Sequence, residues 1–218
     1  HLFGGFRETP FPSSDKPDQI TLTWNDDPKT TQTVLWRTNP SVKSGAVRYR
    51  KKSAANAKFN ETPATLETID DRMLANDRSS HRFTGVMRGL KRGTTYTYQV
   101  GDPTRGVWSA EYEFTTAPKN SDTFSFVNLT DTHNSETAGK LLATAYAREP
   151  KPALVAISGD LVDFGLHRDC WDKFFAYMGA PIARIPVIPS AGNHDDQDGL
   201  GPSTFLKQFA LPDAHFDG

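Results

Sequence analysis

Up to about Pro118 the chain alternates apolar and polar residues in short runs. Ile20-Thr21-Leu22-Thr23-Trp24 has the period of two that marks a half-buried strand. The same pattern predicts strands at Thr33 to Arg37, Ala46 to Arg50, Thr65 to Ile69, His81 to Val86, Thr95 to Val100 and Glu111 to Thr115. Turn-forming stretches such as Asn25-Asp26-Asp27-Pro28, Asn39-Pro40-Ser41 and Arg92-Gly93 lie between them. Short strands with regular turn punctuation predict an all-β sandwich of roughly 100 residues.

Leu90 to Tyr98 sharpens that expectation. A loop Leu and Gly precede a strand that places Tyr96, Tyr98 and Val100 on one face. This resembles the tyrosine corner of immunoglobulin-like and fibronectin-type-III-like sandwiches, in which a Tyr hydroxyl bonds back to the preceding loop. Aromatic residues confined to single strand faces point to core packing rather than to a carbohydrate-binding surface.

Ala117 to Ser121 is a linker by composition, and after it the period changes. Thr123 to Leu129 is a strand, and Glu136 to Arg148 is helical. In that helix Leu141, Leu142, Ala145 and Tyr146 form the apolar stripe, Ser135 is the N-cap and Pro150 ends it. Ala153 to Ile157 is a short apolar strand. Arg168 to Met178 follows as a helix, with Trp171, Phe174, Phe175 and Met178 on one face and Gly179 as its stop. Ile185 to Ile188 is a third strand, and Pro202 opens a short helix carrying Phe205, Leu206 and Phe209. Strand, helix, strand, helix, strand is a βαβαβ unit with a parallel sheet. The expected fold class is therefore two domains, an N-terminal all-β sandwich over residues 1–117 and an α/β unit over residues 122–218.

Composition narrows the partners. Of 218 residues, 25 are Lys or Arg and 26 are Asp or Glu, for a net charge of −1. That balance disfavours a nucleic-acid backbone or an anionic membrane, both of which need a basic surface. No apolar run approaches the roughly 20 residues of a membrane span. His1 in first place is expected to reflect processing or trimming. The single cysteine, Cys170, has no internal disulfide partner and is expected as a packed thiol on a helix.

Three polar clusters each follow an apolar strand directly. They are Asp131-Thr132-His133, Gly159-Asp160-Leu161-Val162-Asp163 and Gly192-Asn193-His194-Asp195. In open α/β sheets ligands bind beyond the carboxyl ends of the strands, so all three clusters belong to one rim. Two carboxylates, an amide oxygen and imidazoles form a mixed O/N donor set, suited to Zn, Mn or Fe and too rich in nitrogen for Ca. Asp131 and His133 would hold one ion, Asp160 would bridge two, and Asn193 would bind the second. Two such ions about 3.5–4 Å apart generate a metal-bound hydroxide, a nucleophile suited to in-line attack on phosphorus. His194 would then protonate the leaving oxygen or bind a phosphate oxygen. Any one of these motifs alone is weak; the three in order, each after a strand, are specific.

Together they resemble the calcineurin-like metallophosphoesterases, whose pattern runs Asp-x-His, Gly-Asp-x-x-Asp, Gly-Asn-His-Asp/Glu, a lone His, then Gly-His-x-His. Ile20 to Thr116, above all Leu90 to Gly101 and Trp108 to Ala117, is similar to the N-terminal sandwich of purple acid phosphatases. The resemblance spans nearly the whole chain. It implies metal-binding roles for Asp131, His133, Asp160 and Asn193, a catalytic role for His194, and for Asp195 the role of orienting that imidazole. Two departures stand out. Purple acid phosphatases have Gly in the place of His133 and a metal-binding Tyr in the place of Asp163, and the later histidine motifs are missing. Of the remaining histidines, His1 and His81 belong to the front half, His167 to a solvated or substrate-facing loop, and His215 to the surface.

The resulting expectation is a phosphate-ester hydrolase with a dinuclear Fe, Mn or Zn centre. This chain would be its N-terminal portion, completed by a complementary C-terminal polypeptide. The competing reading is a non-catalytic binding or adhesion module with a vestigial metal site. A nuclease is disfavoured by the charge balance. An extracellular or periplasmic location follows only from the resemblance of the front domain.

Overall fold

The alternating runs of the first half form nine strands: β1 (Asp18–Thr23), β2 (Gln32–Thr38), β3 (Ala46–Lys51), β4 (Asn60–Pro63), β5 (Thr65–Asp70), β6 (Ser79–Met87), β7 (Thr95–Asp102), β8 (Val107–Trp108) and β9 (Tyr112–Thr115). They were placed by a computed structural model that describes residues 5–120, 123–148, 151–196 and 201–212. Two sheets enclose a core of Leu22, Val34, Trp36, Val47, Phe83, Tyr98 and Val100. Trp36 stacks on Phe83 with ring centroids 5.4 Å apart. The tyrosine corner is present: the Lys91 N–H donates to the Tyr96 hydroxyl at 2.8 Å, and Tyr96 itself is buried.

The second half contains β10 (Val127–Leu129), α1 (Glu136–Tyr146), β11 (Val155–Ser158), α2 (Arg168–Met178), β12 (Val187–Ser190), α3 (Asn193–Asp196) and α4 (Ser203–Gln208). Ser135 caps α1 by accepting from Thr137 N–H at 3.2 Å. Gly179, at a φ of 60°, ends α2. Trp171, Phe174, Phe175 and Met178 are buried as the spacing predicts. In α1 the stripe is rotated from the expected one: Ala138, Gly139 and Leu142 face the core, and Leu141 is exposed. The close approach of α2 selects this face, since a Cβ on Gly139 would lie 2.0 Å from the Tyr177 carbonyl oxygen. Leu206 is likewise exposed, while Phe205 and Phe209 are buried. Ser121, Pro150, His1 and His215 lie outside the described residues.

The two halves share one sheet. Its seven strands run β10-β11-β12-β1-β2-β6-β5, and β1 meets β12 in parallel at Thr23 and Val187. Ionic contacts reinforce the seam. Arg37 of β2 reaches Asp172 of α2 at 2.6 Å with both side chains buried. Arg168 pairs with Asp77 at 2.7 Å, and Arg7 pairs with Asp169 at 2.8 Å and with Asp71. Tyr98 donates across the seam to the Ala183 carbonyl at 2.7 Å. The front sandwich thereby braces α2, the helix that follows the second motif loop.

The strands β10, β11 and β12 are consecutive neighbours, and α1 and α2, packed against each other, share one core with them and cover the same face. Val155, Ile157 and Val187 are buried beneath them. On the opposite face Asn128, Ser158, Ile188 and Ser190 are exposed, with Phe124 and Phe126 continuing the row.

Candidate metal centre

The three motif loops follow β10, β11 and β12, whose parallel pairing puts their carboxyl ends side by side. Backbone hydrogen bonds then zip the first loop onto the second. Asp131 N–H donates to Gly159 O at 3.2 Å, His133 N–H to Asp160 O at 3.1 Å, and Asn134 N–H to Leu161 O at 3.2 Å. The buried hydroxyl of Thr132 adds a bond to Leu161 O at 2.9 Å. This arrangement holds four side-chain-bearing residues at positive φ: Asp131 (50°), His133 (41°), Asn134 (56°) and Asp160 (50°). Left-handed backbone is costly for residues with a Cβ and collects where surrounding structure enforces a site.

The side chains converge. Nε2 of His133 lies 4.0 Å from Asp131 Oδ1 and 3.9 Å from Asp160 Oδ2. The rings of His133 and His194 meet edge to face at 4.7 Å. Donor atoms of His133, Asp160 and His194 all lie within 4.8 Å of one another, close enough to hold one metal ion. His194 was expected only as an acid or phosphate contact, and this placement gives it the reach of a ligand too. Two imidazoles with carboxylates suit first-row transition metals. Asn193 is exposed at the start of α3. It stands between Gly192 and His194, both of which touch Asp160. The His194 N–H donates to Asp160 Oδ1 at 3.0 Å, and a Cβ on Gly192 would lie 2.2 Å from that same oxygen.

Each imidazole is aimed through its other nitrogen. Nδ1 of His194 lies 2.8 Å from the Asp163 carbonyl oxygen. A carbonyl only accepts, so Nδ1 carries a proton, and Nε2 is the nitrogen through which the ring can act. Nδ1 of His133 faces the Asp163 carboxylate at 3.2 Å, and the other Asp163 oxygen accepts from Asn134 Nδ2 at 2.8 Å. The sequence motif contained Asp163 without assigning it work; the structure shows it positioning both imidazoles.

Asp195 corrects an expectation. It does not orient the His194 ring. Its buried carboxylate accepts from the backbone N–H of Leu161 at 3.1 Å, Val162 at 3.2 Å and Gly192 at 3.0 Å, tying the second loop to the third. Burial raises its pKa, opposed by those three bonds. Nothing in the sequence marks this role, because every partner is main chain. His167 lies at the end of the loop, as expected, but only partly exposed. It occupies the N-cap position of α2, is half-buried, and packs on Phe164 with ring centroids 5.0 Å apart. Burial, and the Arg7 charge after it, lower its pKa.

Comparison with known proteins agrees with the fold. The model of a family described as "Purple acid Phosphatase, N-terminal domain" matches residues 17–116, and that of "Calcineurin-like phosphoesterase" matches residues 124–217. A plant protein, "Probable inactive purple acid phosphatase 9" of Arabidopsis thaliana, is 27% identical over 128 residues, which are 52% of this chain and 20% of that protein. The structure of purple acid phosphatase PPD1 from yellow lupin (Lupinus luteus) seeds superposes with a TM-score of 0.75 at 19% identity, over 91% of this chain and 41% of the lupin chain. The chain thus spans well under half the length of these relatives, and the lupin likeness speaks for the fold alone. The two family matches together cover nearly all of the sequence, its first half matching the purple acid phosphatase N-terminal domain and its second half the calcineurin-like phosphoesterases.

Proposed function

We propose that this chain is the metal-holding portion of a phosphate-ester hydrolase. Asp131, His133, Asp160 and Asn193 are its ligands, and His194 is the group that meets the leaving or phosphate oxygen. The observation that carries the reading is the convergence of His133, Asp160 and His194 within 4.8 Å on a rim enforced by left-handed backbone. Iron, manganese or zinc fits the donor set, and a pair of such ions bound there supplies charge neutralisation and lowers the pKa of water. The chain's own residues do the rest. Asp163 fixes both imidazoles, Asp195 holds the loops in register, and His194, its Nδ1 proton engaged by the Asp163 carbonyl, would donate from Nε2 to the departing oxygen.

In the same reading residues 1–117 form a bracing domain and residues 122–218 form the first half of the catalytic domain. The open sheet face around Ile188 and Phe126 supports a complementary polypeptide that covers it, since parallel sheets are normally covered on both sides. No helix among the described residues is long and apolar enough to cross a membrane. We place the protein outside the cytoplasm on the likeness of its front domain.

A second reading, a binding module with an inactive centre, is favoured by the name of the Arabidopsis relative. Metal content and hydrolysis of an aryl phosphate, measured on the full-length protein and its Asp160→Asn variant, separate the two. The hydrolase reading expects bound transition metal and turnover, both lost in the variant. Metal without turnover favours the module, and neither metal nor turnover defeats both.

A further inference from the structure

The loop between β11 and α2 presents two exposed apolar side chains, Phe164 and Leu166, on either side of the buried Gly165. Exposed apolar residues are common and by themselves mean little. Phe164 differs because both of its chain neighbours are bonded to one residue, His194. The Asp163 carbonyl lies 2.8 Å from His194 Nδ1, and the Gly165 N–H donates to the His194 carbonyl at 2.9 Å. Gly165 is held further by Trp171 Nε1, which donates to its carbonyl at 2.8 Å. A Cβ at Gly165 would lie 2.0 Å from the Asp195 carbonyl oxygen, so the loop sits flush against the third motif. The ring of His167 lies against Phe164 from the helix side, tilted by 34°. Phe164 is therefore an exposed aromatic ring, half open to solvent, on a loop whose two flanking residues are both bonded to His194.

We propose that Phe164, backed by His167, is a specificity-determining platform for the organic group of the substrate, and that the preferred esters carry an aromatic or apolar group rather than a sugar or polyol. This rests on the phosphoesterase reading of the site. In this proposal a ligand whose phosphorus lies at the metal centre extends its ester group over the loop that is bonded to His194. There the Phe164 face offers area to bury and a ring to stack on, and it offers no hydrogen bond to hydroxyl groups.

The test uses binding, so that it does not depend on turnover. Phenylphosphonate and methylphosphonate share the phosphonate head and differ in the group that the platform would meet. With the metal-loaded full-length protein, calorimetry is expected to show phenylphosphonate bound about fivefold to tenfold more tightly, the range of one aromatic contact. Phe164→Ala should reduce that preference to within twofold, and Phe164→Tyr should restore it. Because Phe164 is exposed, its variants should melt with the parent protein, which guards against misreading a folding defect. A parent protein without the preference, or an alanine variant that keeps it, overturns the proposal. Retained preference without hydrolysis of phenyl phosphate would defeat the hydrolase reading and leave the platform standing.

Discussion

The Asp163 carboxylate lies 3.2 Å from Nδ1 of His133, on the opposite edge of the ring from Asp131 and Asp160. A carboxylate behind a histidine fixes the ring and makes its outer nitrogen more basic, the support that metal-binding imidazoles usually have. Asp163→Ala is therefore expected to weaken metal binding by about 10–100-fold. At saturating metal it should leave most of the turnover. Titration of the apo-protein with zinc checks this, and unchanged affinity would remove Asp163 from the site.

His194 and Asp160 should separate by readout. His194→Ala is expected to lower turnover by about 10²–10⁴-fold, the range of a positioned acid–base group, with little loss of metal. Asp160→Asn should lose metal and activity together, since its carboxylate stands at the middle of the donor cluster. Equal metal loss in both variants would make His194 a ligand first, which its place within 4.8 Å of the others allows.

Much of this was legible in the sequence, and the misses share a cause. Period-two runs such as Ile20 to Trp24 became strands because one face of each had a core to meet. β4 and β8 were not foreseen: β4 is almost wholly exposed and β8 has two residues, so neither leaves a hydrophobic signature. The motif loops were legible because their side chains carry the chemistry. The work of Asp195 was hidden because its partners are peptide N–H groups, which every residue but proline has. The shared sheet was hidden for a related reason. A parallel pairing of Thr23 with Val187 depends on docking surfaces such as Arg37 with Asp172, far apart in the chain, and not on local pattern.

Asp195→Ala should destabilise the second half strongly. Removing the buried carboxylate leaves the N–H groups of Leu161, Val162 and Gly192 without their acceptor, at about 1–3 kcal/mol each. A loss of about 3 kcal/mol or more is expected in urea unfolding. A loss below about 1 kcal/mol would mean that water reaches those donors.

Cys170 should be inert in the native protein. Burial, with the neighbouring Asp169 charge, pushes its thiol up to about 11. At pH 8 almost none is thiolate, the form that reacts. Ellman's reagent should therefore find no thiol until urea exposes one per chain. The same shift makes stability fall as pH rises from about 9 to about 11, because the unfolded thiol ionises first and the folded one resists. Rapid native labelling at pH 8 would contradict the burial.

The last prediction concerns colour. The purple of the phosphatases that share this front domain comes from tyrosinate bound to ferric iron, and the corresponding position here is Asp163. Another tyrosine would have to take that role, and the fold leaves none of this chain's own in reach. Of the six in the sequence, Tyr49, Tyr96, Tyr98 and Tyr112 belong to the sandwich. Tyr146 and Tyr177 sit in the last turns of α1 and α2. In a βαβ unit a helix runs antiparallel to its strands, so its C-terminal end lies at the rim opposite the strands' carboxyl ends. The metal loops occupy the carboxyl rim, and both helical tyrosines are at the other. Iron-loaded protein should accordingly lack the strong visible charge-transfer band while still binding iron by elemental analysis. A band that survives Asp163→Ala and disappears on substitution of one tyrosine would show that residue at the metal, and the ligand set argued above would have to be redrawn.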